Sequence, residues 1–259
     1  MAVSQDAPPD ARDEARMNPA LRRDYLAALK LEAWLVRGSI AAPLSAVPVP
    51  VAVPVPPAER VPAAVPIANG GREEGADWPE LRARVAACTR CALSSTRTQT
   101  VFGVGSLQAQ WLIVGEAPGA EEDRQGEPFV GRAGQLLNSM LRAIGLSREE
   151  VFIANVLKCR PPGNRDPTAT EAAECLPYLE QQIALLKPKI MLAVGRIAAQ
   201  NLLRTDVTLG RLRQQVHHFG VSKVPLIATY HPAYLLRTPT DKRKAWEDLK
   251  FAREVCARV

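Results

Sequence analysis

The sequence predicts an α/β fold in which helices cover both faces of a parallel sheet. Apolar runs of strand length alternate with helical stretches from residue 77 to the C-terminus, an alternation typical of parallel sheets. Polar residues lie at or just after the ends of three predicted strands, namely Glu116, Asn155 and His231. Because folds of this class bind ligands at the carboxyl ends of their strands, we expect the functional site there.

The predicted elements follow one another in a regular order. Strands are predicted over 111–114, 151–155, 190–194 and 224–229, and helices over 78–87, 134–144, 170–186, 196–203 and 241–258.

An amphipathic helix is predicted over residues 18–37, within an N-terminal extension of residues 1–40. Its apolar residues recur at near-helical spacing. The helix either binds a protein partner, docks on the main domain or has no function of its own.

A proline-rich segment, residues 41–76, separates this extension from the α/β domain of residues 77–259. Eight of the 28 residues in 41–68 are proline, which prevents helix and sheet formation and favours polyproline II. We interpret the segment as a semi-rigid linker, with recognition by a partner as the alternative.

Composition and charge narrow the function classes. No apolar run in the 259 residues approaches the ~20 residues of a membrane span, and the N-terminus has no apolar signal segment. We therefore expect no membrane association and a cytoplasmic location. The first 75 residues carry a net charge of −1 and the remaining 184 carry +7. This distribution suits contact with a polyanion such as nucleic acid, although an ordinary basic surface would give the same count.

Four of the five cysteines are spaced as metal ligands. Cys88 and Cys91 form a C-x2-C pair, and Cys159 and Cys175 follow after 67 and then 15 residues. Such a set could close a four-thiolate site for zinc or for an iron–sulfur cluster, which ligand type alone does not separate. The alternative is that Cys159 and Cys175 are buried core thiols. Cys256 is interpreted as a spare thiol.

Residues 115–134, GEAPGAEEDRQGEPFVGRAG, combine glycines with acidic side chains. The glycines allow a ligand to approach the backbone closely, and neither a P-loop nor a G-x-G-x-x-G pattern is present. Glu116 and Glu122 suit general-base work or stabilisation of a developing cation. A solvated acidic loop is the alternative.

Two further segments contain candidate binding residues. Asn155 begins NVLKCRPPGNRDPT and offers a paired donor and acceptor to a base edge, or else satisfies local backbone groups. His231 begins HPAYLLR at a strand end, where a functional and a structural role are equally consistent with the sequence.

Together these segments resemble the family 4 uracil-DNA glycosylases, the iron–sulfur members of their superfamily. The resemblance rests on GEAPG at 115–119, EPFVGRAG at 127–134, NVLKCRPPGNRDP at 155–167, HPAYLLR at 231–237 and the cysteine spacing. It implies a three-layer α/β/α domain with a four-stranded parallel sheet. It also implies a [4Fe–4S] cluster held by the four cysteines, and hydrolysis of deoxyuridine in DNA during base excision repair.

The resemblance also implies roles for single residues. Phe129 would stack on the flipped uracil, Asn155 would hydrogen-bond its Watson–Crick edge, and His231 would stabilise charge developing on uracil O2. Gly115 and Ala117 belong to a loop that would pack against C5 and leave little room for a thymine methyl.

The remaining implied roles concern water and DNA. Either Glu116 or Glu122 would position water or balance the oxocarbenium-like sugar. The residues expected to fill the gap in the duplex or bind the backbone are Leu235, Leu236, Arg237, Arg160 and Arg165.

One departure from a related branch bears on the chemistry. That branch forms a covalent bond to DNA through a histidine in an inserted loop, whereas residues 155–175 contain no histidine. We therefore expect turnover without a trapped adduct. As separate expectations, the protein is a monomer and is associated with the nucleoid. The alternatives are a non-catalytic iron–sulfur module that recognises uracil or DNA ends, and a zinc-stapled hydrolase acting on nucleotides.

Overall fold

Six strands form one mixed sheet in the computed structural model, which describes residues 77–259. The predicted N-terminal helix 18–37 and linker 41–76 lie outside the described residues. The strands are β1 (Val104–Gly105), β2 (Trp111–Gly115), β3 (Phe152–Asn155), β4 (Ile190–Val194), β5 (His217–Phe219) and β6 (Val224–Thr229).

The order of strands in the sheet is β1-β3-β2-β4-β6-β5. Neighbours among β3, β2, β4 and β6 pair in parallel, and β1 and β5 add antiparallel edges. The α/β class is confirmed. The expected sheet of four parallel strands needs correction, because the two short edge strands extend it to six. Their two and three residues include no apolar run that would have marked them as strands.

Eight α-helices accompany the sheet within the described residues. They are α1 (Trp78–Ala86), α2 (Ala120–Gln125), α3 (Arg132–Ala143), α4 (Ala169–Leu186), α5 (Arg196–Leu203), α6 (Leu209–Leu212), α7 (Pro232–Arg237) and α8 (Lys242–Ala257). The five helices predicted from periodicity agree with the structure within two residues at each end. The helices that periodicity missed, α2, α6 and α7, have four to six residues, which is too short for a 3.6-residue repeat to be recognised.

Two apolar clusters pack on opposite faces of the sheet. Along β2, Leu112 and Val114 join a cluster with α1, α4 and α5, whereas Trp111 and Ile113 join one with α3, α7 and α8. Because alternate strand residues point to opposite faces, the domain has helices on both sides of the sheet. This two-sided burial explains why the central strands are almost continuously apolar. None of the helices within residues 77–259 has the length and hydropathy required of a bilayer span.

Candidate active site

The carboxyl ends of the parallel strands bring three sequence-predicted residues to one edge of the sheet. Gly115 ends β2 and pairs in register with Asn155, which ends β3. His231 follows β6 by two residues and caps α7. Asn155 and His231, like Glu116 directly after β2, therefore lie at or just after the carboxyl ends of parallel strands, where the sequence places them.

Asn155 forms the floor of the candidate site together with Gly115 and Phe129. Its side chain is buried, with 2% of the residue exposed, and Oδ1 has no hydrogen-bond partner. A Cβ added to Gly115 would lie 2.3 Å from Asn155 Oδ1 and 2.6 Å from Phe129 Cζ. Glycine is thus required here, since any side chain would collide with both residues. A buried carbonyl oxygen without a partner is costly unless a ligand supplies the donor.

Phe129 also contacts His231 in the candidate site. Their rings stack with centroids 5.6 Å apart and an interplanar angle of 30°. Phe129 has a φ of 55°, a strained backbone conformation for an aromatic residue. Gly195, at the end of β4, lies behind the histidine: a Cβ there would come within 3.0 Å of His231 Cβ. Sequence reasoning missed this role of Gly195, although its position directly after a strand was visible.

His231 is held as a neutral donor. Its Nδ1 accepts a hydrogen bond from the Ala233 amide at 3.1 Å, which leaves the proton of a neutral ring on Nε2. Burial, aided by the nearby Arg237 charge, lowers the pKa of His231 to about 4. The imidazole can therefore donate one hydrogen bond from Nε2 at neutral pH.

The two candidate glutamates occupy different environments. Glu122 Oε1 accepts hydrogen bonds from the amides of Val130, at 3.0 Å, and Gly131, at 3.2 Å. Burial, together with the Asp166 charge, raises the pKa of Glu116 to about 7. Glu122 is thus engaged with the loop that carries Phe129, whereas Glu116 has the perturbed acidity of a group suited to proton transfer near neutral pH.

Arg148 completes the support of the Phe129 loop and was missed by sequence reasoning. Its Nη2 donates to Pro128 O at 2.5 Å, and its Nη1 donates to Phe129 O at 3.3 Å and Asn138 Oδ1 at 3.4 Å. The loop is therefore held through its carbonyls by Arg148 and through its amides by Glu122. No local signal could reveal Arg148, because 19 residues separate it from Phe129.

The residues expected to contact DNA differ in their accessibility. Leu235 is only 1% exposed and packs in the core with α3 and α8, so the expectation that it enters the duplex is corrected. Its neighbour Leu236 is half-buried and Arg237 is exposed.

Two further arginines of the expected DNA surface have partners within the protein. Arg160 donates to Asn164 Oδ1 at 2.8 Å. Arg165 makes a bidentate pair with Glu171, with Nη–Oε distances of 2.9 and 2.6 Å. Ala117 is half-buried beside the core.

The four cysteines line a second pocket, on the side of the sheet that packs against α4. Its volume is about 270 Å³ with the solvent at its mouth included, and it is lined by Val85, Cys88, Arg90, Cys91, Lys158, Cys159, Glu174, Cys175 and Tyr178. Arg97 Nη1 donates to Cys159 Sγ at 2.9 Å, and the Lys158 amide donates to Cys175 Sγ at 3.1 Å. Donors of this kind stabilise thiolates, so the side chains present suit a metal centre.

Burial also changes the acidity of two of the four cysteines. Burial raises the pKa of Cys159, and that of Cys175 to about 11, so both side chains are thiols at neutral pH unless a bound cation displaces their protons. Within residues 77–259, no three or more histidine, cysteine, aspartate or glutamate side chains are grouped to hold a metal ion.

Comparison with known proteins identifies the family. The model of the uracil DNA glycosylase superfamily matches residues 102–250. The type-4 uracil-DNA glycosylase of Archaeoglobus fulgidus is 45% identical over 181 residues, covering 67% of this chain and 90% of that protein. The type-4 enzyme of Thermotoga maritima is 43% identical over 174 residues, or 66% and 90% of the two chains.

A type-5 uracil-DNA glycosylase is more distant. That of Pyrobaculum aerophilum is 32% identical over 149 residues, covering 51% of this chain and 64% of that protein. The chain therefore belongs to the uracil DNA glycosylase superfamily and, within it, to the type-4 family.

Proposed function

We propose that the chain hydrolyses the N-glycosidic bond of deoxyuridine in DNA, releasing uracil and leaving an abasic site. The observation that carries this proposal is the buried, unpartnered Oδ1 of Asn155 beside the ring of Phe129. It is supported by the type-4 uracil-DNA glycosylases to which the chain is similar.

Base selection follows from the chemistry of the Asn155 amide. Its Oδ1 can accept from uracil N3–H while its Nδ2 donates to O4. Cytosine presents an acceptor at N3 and a donor at N4, so the same amide orientation opposes it. The target base must leave the stack to reach this buried residue, which costs a few kcal/mol. Stacking on Phe129 offsets part of that cost.

Loop 115–119 supports rejection of thymine. Gly115 packs so closely on Asn155 and Phe129 that a Cβ on Gly115 would collide with both. A base held by these residues and bounded by Gly115 and Ala117 would have little space for a methyl at C5.

His231 supplies the electrostatic contribution to bond cleavage. As the glycosidic bond breaks, negative charge develops on uracil O2, and the Nε2–H of a neutral imidazole can donate to it. Since the pKa of His231 is about 4, the ring needs no protonation change within the neutral range.

Glu116 is proposed to position the attacking water or to balance the oxocarbenium-like sugar. In either role it must be ionised, and its pKa of about 7 places the change of charge near neutral pH. We assign Glu122 to holding the Phe129 loop, because its Oε1 already accepts two backbone amides. Leu236 and Arg237 are proposed to contact the duplex, with Arg160 and Arg165 as weaker candidates.

The cysteine pocket is proposed to hold a [4Fe–4S] cluster. A cluster takes one thiolate on each iron, so its cysteine ligands lie further apart than the ligands of a single metal ion. Four cysteines line the pocket, and within residues 77–259 no side chains are grouped tightly enough to hold a single ion. Both observations are consistent with a cluster. Bound there, the cluster would tie the loop after α1 to β3 and α4. We assign it a structural role, since hydrolysis needs no electron transfer.

The proposed activity is tested with labelled oligonucleotides that each contain one uracil, thymine or cytosine. We expect alkali-sensitive cleavage at uracil alone, and no species that stays bound to DNA after boiling in denaturant. A folded, brown protein that binds the uracil strand without cleaving it would favour a non-catalytic iron–sulfur module instead. A colourless, zinc-loaded protein acting on nucleotides would favour the hydrolase alternative.

Several assignments outside the site stay predictions. The division at residues 40 and 76, a protein partner of the 18–37 helix, a monomeric state and a cytoplasmic, nucleoid-associated location are proposed on sequence grounds. The partner of the 18–37 helix is tested by pull-down. A variant that begins at Asp77 and loses a partner bound by the full chain would support it.

A further inference from the structure

Lys158 is a fully buried cation whose direct partners are both uncharged. Only 1% of the residue is exposed. Its Nζ donates to the backbone oxygen of Asn155 at 2.8 Å and to Gln182 Oε1 at 2.6 Å. Within residues 77–259, none of the ion pairs includes Lys158. A buried charge without a counter-charge is strongly destabilising, so an anion close to the ammonium would stabilise the fold.

The cysteine pocket is the place where that anion can be. Lys158 lines the pocket together with the four cysteines, and its own amide donates to Cys175 Sγ at 3.1 Å. Four thiolates around an iron–sulfur core carry a net negative charge, which would compensate the buried cation.

The other end of the side chain reaches the candidate active site. The carbonyl that accepts from Lys158 Nζ belongs to Asn155, whose side-chain amide lies in the candidate active site. Gln182 fixes the ammonium from the opposite direction, since its Nε2 is anchored by Phe102 O at 2.9 Å. One residue thus spans from a cysteine ligand to the backbone of the base-reading residue.

We propose that Lys158 is the buried counter-ion of the iron–sulfur centre and a positioning residue for Asn155. The inference rests on the proposed cluster. It gives the centre a defined link to the pocket, because an ammonium held by the centre's charge fixes the Asn155 carbonyl at the end of β3.

The reduction potential of the centre reports the charge of Lys158 directly. Reduction makes the centre more negative, so a nearby cation favours the reduced state and raises the potential. Removing or neutralising that cation makes the potential more negative, whichever couple of the centre is followed. A merely structural role, such as filling space, leaves the potential unchanged.

Three variants of the full, cluster-loaded chain separate charge from hydrogen bonding. Lys158→Met removes the cation and keeps much of its volume. Gln182→Glu keeps the cation and places a carboxylate where the amide oxygen lies 2.6 Å from Nζ. Gln182→Met keeps the cation and removes one acceptor, which makes it the matched control.

The midpoint potential is measured by optical redox titration, and excision is measured under single turnover. We expect a more negative potential in Lys158→Met and Gln182→Glu, and the wild-type potential in Gln182→Met. In Lys158→Met we also expect kcat/KM to fall about tenfold at full iron content. Wild-type potentials in both Lys158→Met and Gln182→Glu would overturn the inference. If Lys158→Met does not fold, the two Gln182 variants provide the test. A more negative potential in Gln182→Glu than in Gln182→Met supports the inference, and equal potentials overturn it.

The outcome is separable from that of the proposed activity. A wild-type chain that excises uracil but takes up no iron overturns the counter-ion role and leaves the glycosylase proposal standing. A chain that shows the expected potentials but excises no uracil supports the counter-ion role and overturns the glycosylase proposal.

Discussion

Replacing Arg148 with methionine should release the loop that positions Phe129. Methionine keeps an unbranched apolar stem but donates nothing to Pro128 O and Phe129 O, which now receive bonds of 2.5 and 3.3 Å. Phe129 has a φ of 55°, and such a conformation persists only where the surroundings hold it. Without Arg148, we expect the loop to relax toward an ordinary backbone conformation and the ring to leave its place beside His231.

The size of the effect follows from these contacts. A hydrogen bond to a charged donor contributes about 1.5–3 kcal/mol, with less expected here because Arg148 is half-buried and water can replace it in part. Strain at Phe129 stores about 1–3 kcal/mol that the clamp must hold in place. A loss of about 1.5–3 kcal/mol in pocket organisation corresponds to a decrease of about 10- to 100-fold in kcat/KM.

The assay is single-turnover uracil release at several enzyme concentrations, with the melting temperature measured in parallel. Arg142→Met is the matched control, because Arg142 is exposed in the last turn of α3. We expect the control to match the wild type. Wild-type kcat/KM in Arg148→Met, together with a lowered melting temperature, would refute the positioning role.

Three further predictions follow from the site and its surroundings. Because the pKa of Glu116 is about 7 and its carboxylate must be ionised, the rate of excision should fall as the pH drops below about 7. Glu116→Gln should be slow, and its rate should not depend on pH in that range. A wild-type rate that is constant from pH 6 to 8 would contradict this prediction. Gly115→Ala should reduce excision at least about 100-fold, measured under single turnover, because its methyl displaces Asn155 Oδ1, and a misplacement of about 1 Å has this effect. Arg165 lowers the pKa of Glu171 to about 2, so their pair adds stability above the unfolded-state pKa and loses it as pH falls toward 2. Arg165→Ala should therefore lower the free energy of unfolding at pH 7 and lower it by less at pH 3, as measured by urea denaturation.

The sequence predicted the parts of the fold and site that depend on local pattern. Continuous apolar runs identified the four central strands, and the parallel arrangement then required Gly115 and Asn155 to meet at one edge. His231 lies at the same edge because it also follows a parallel strand. The cysteine spacing indicated a metal site because two cysteines that chelate a metal from a tight turn have a characteristic separation.

The parts it missed depend on contacts between distant segments. Arg148 reaches the Phe129 loop across 19 residues, and Lys158 reaches Gln182 across 24. Lys158 stood among basic residues of a polar segment, yet the structure buries it. Leu235 was misjudged because a six-residue helix buries one of its two adjacent leucines in the core, and periodicity over so short a segment does not show which.

The most direct test of the account compares single-turnover uracil release by the wild type, Asn155→Ala and His231→Ala at equal cluster content. We expect rapid release by the wild type. Asn155→Ala should lose both rate and discrimination against cytosine, and His231→Ala should lose rate with little change in DNA affinity. Wild-type rates in both variants would contradict the assignment of these two residues. Absence of uracil release by a folded, cluster-loaded wild-type chain would contradict the proposed activity itself.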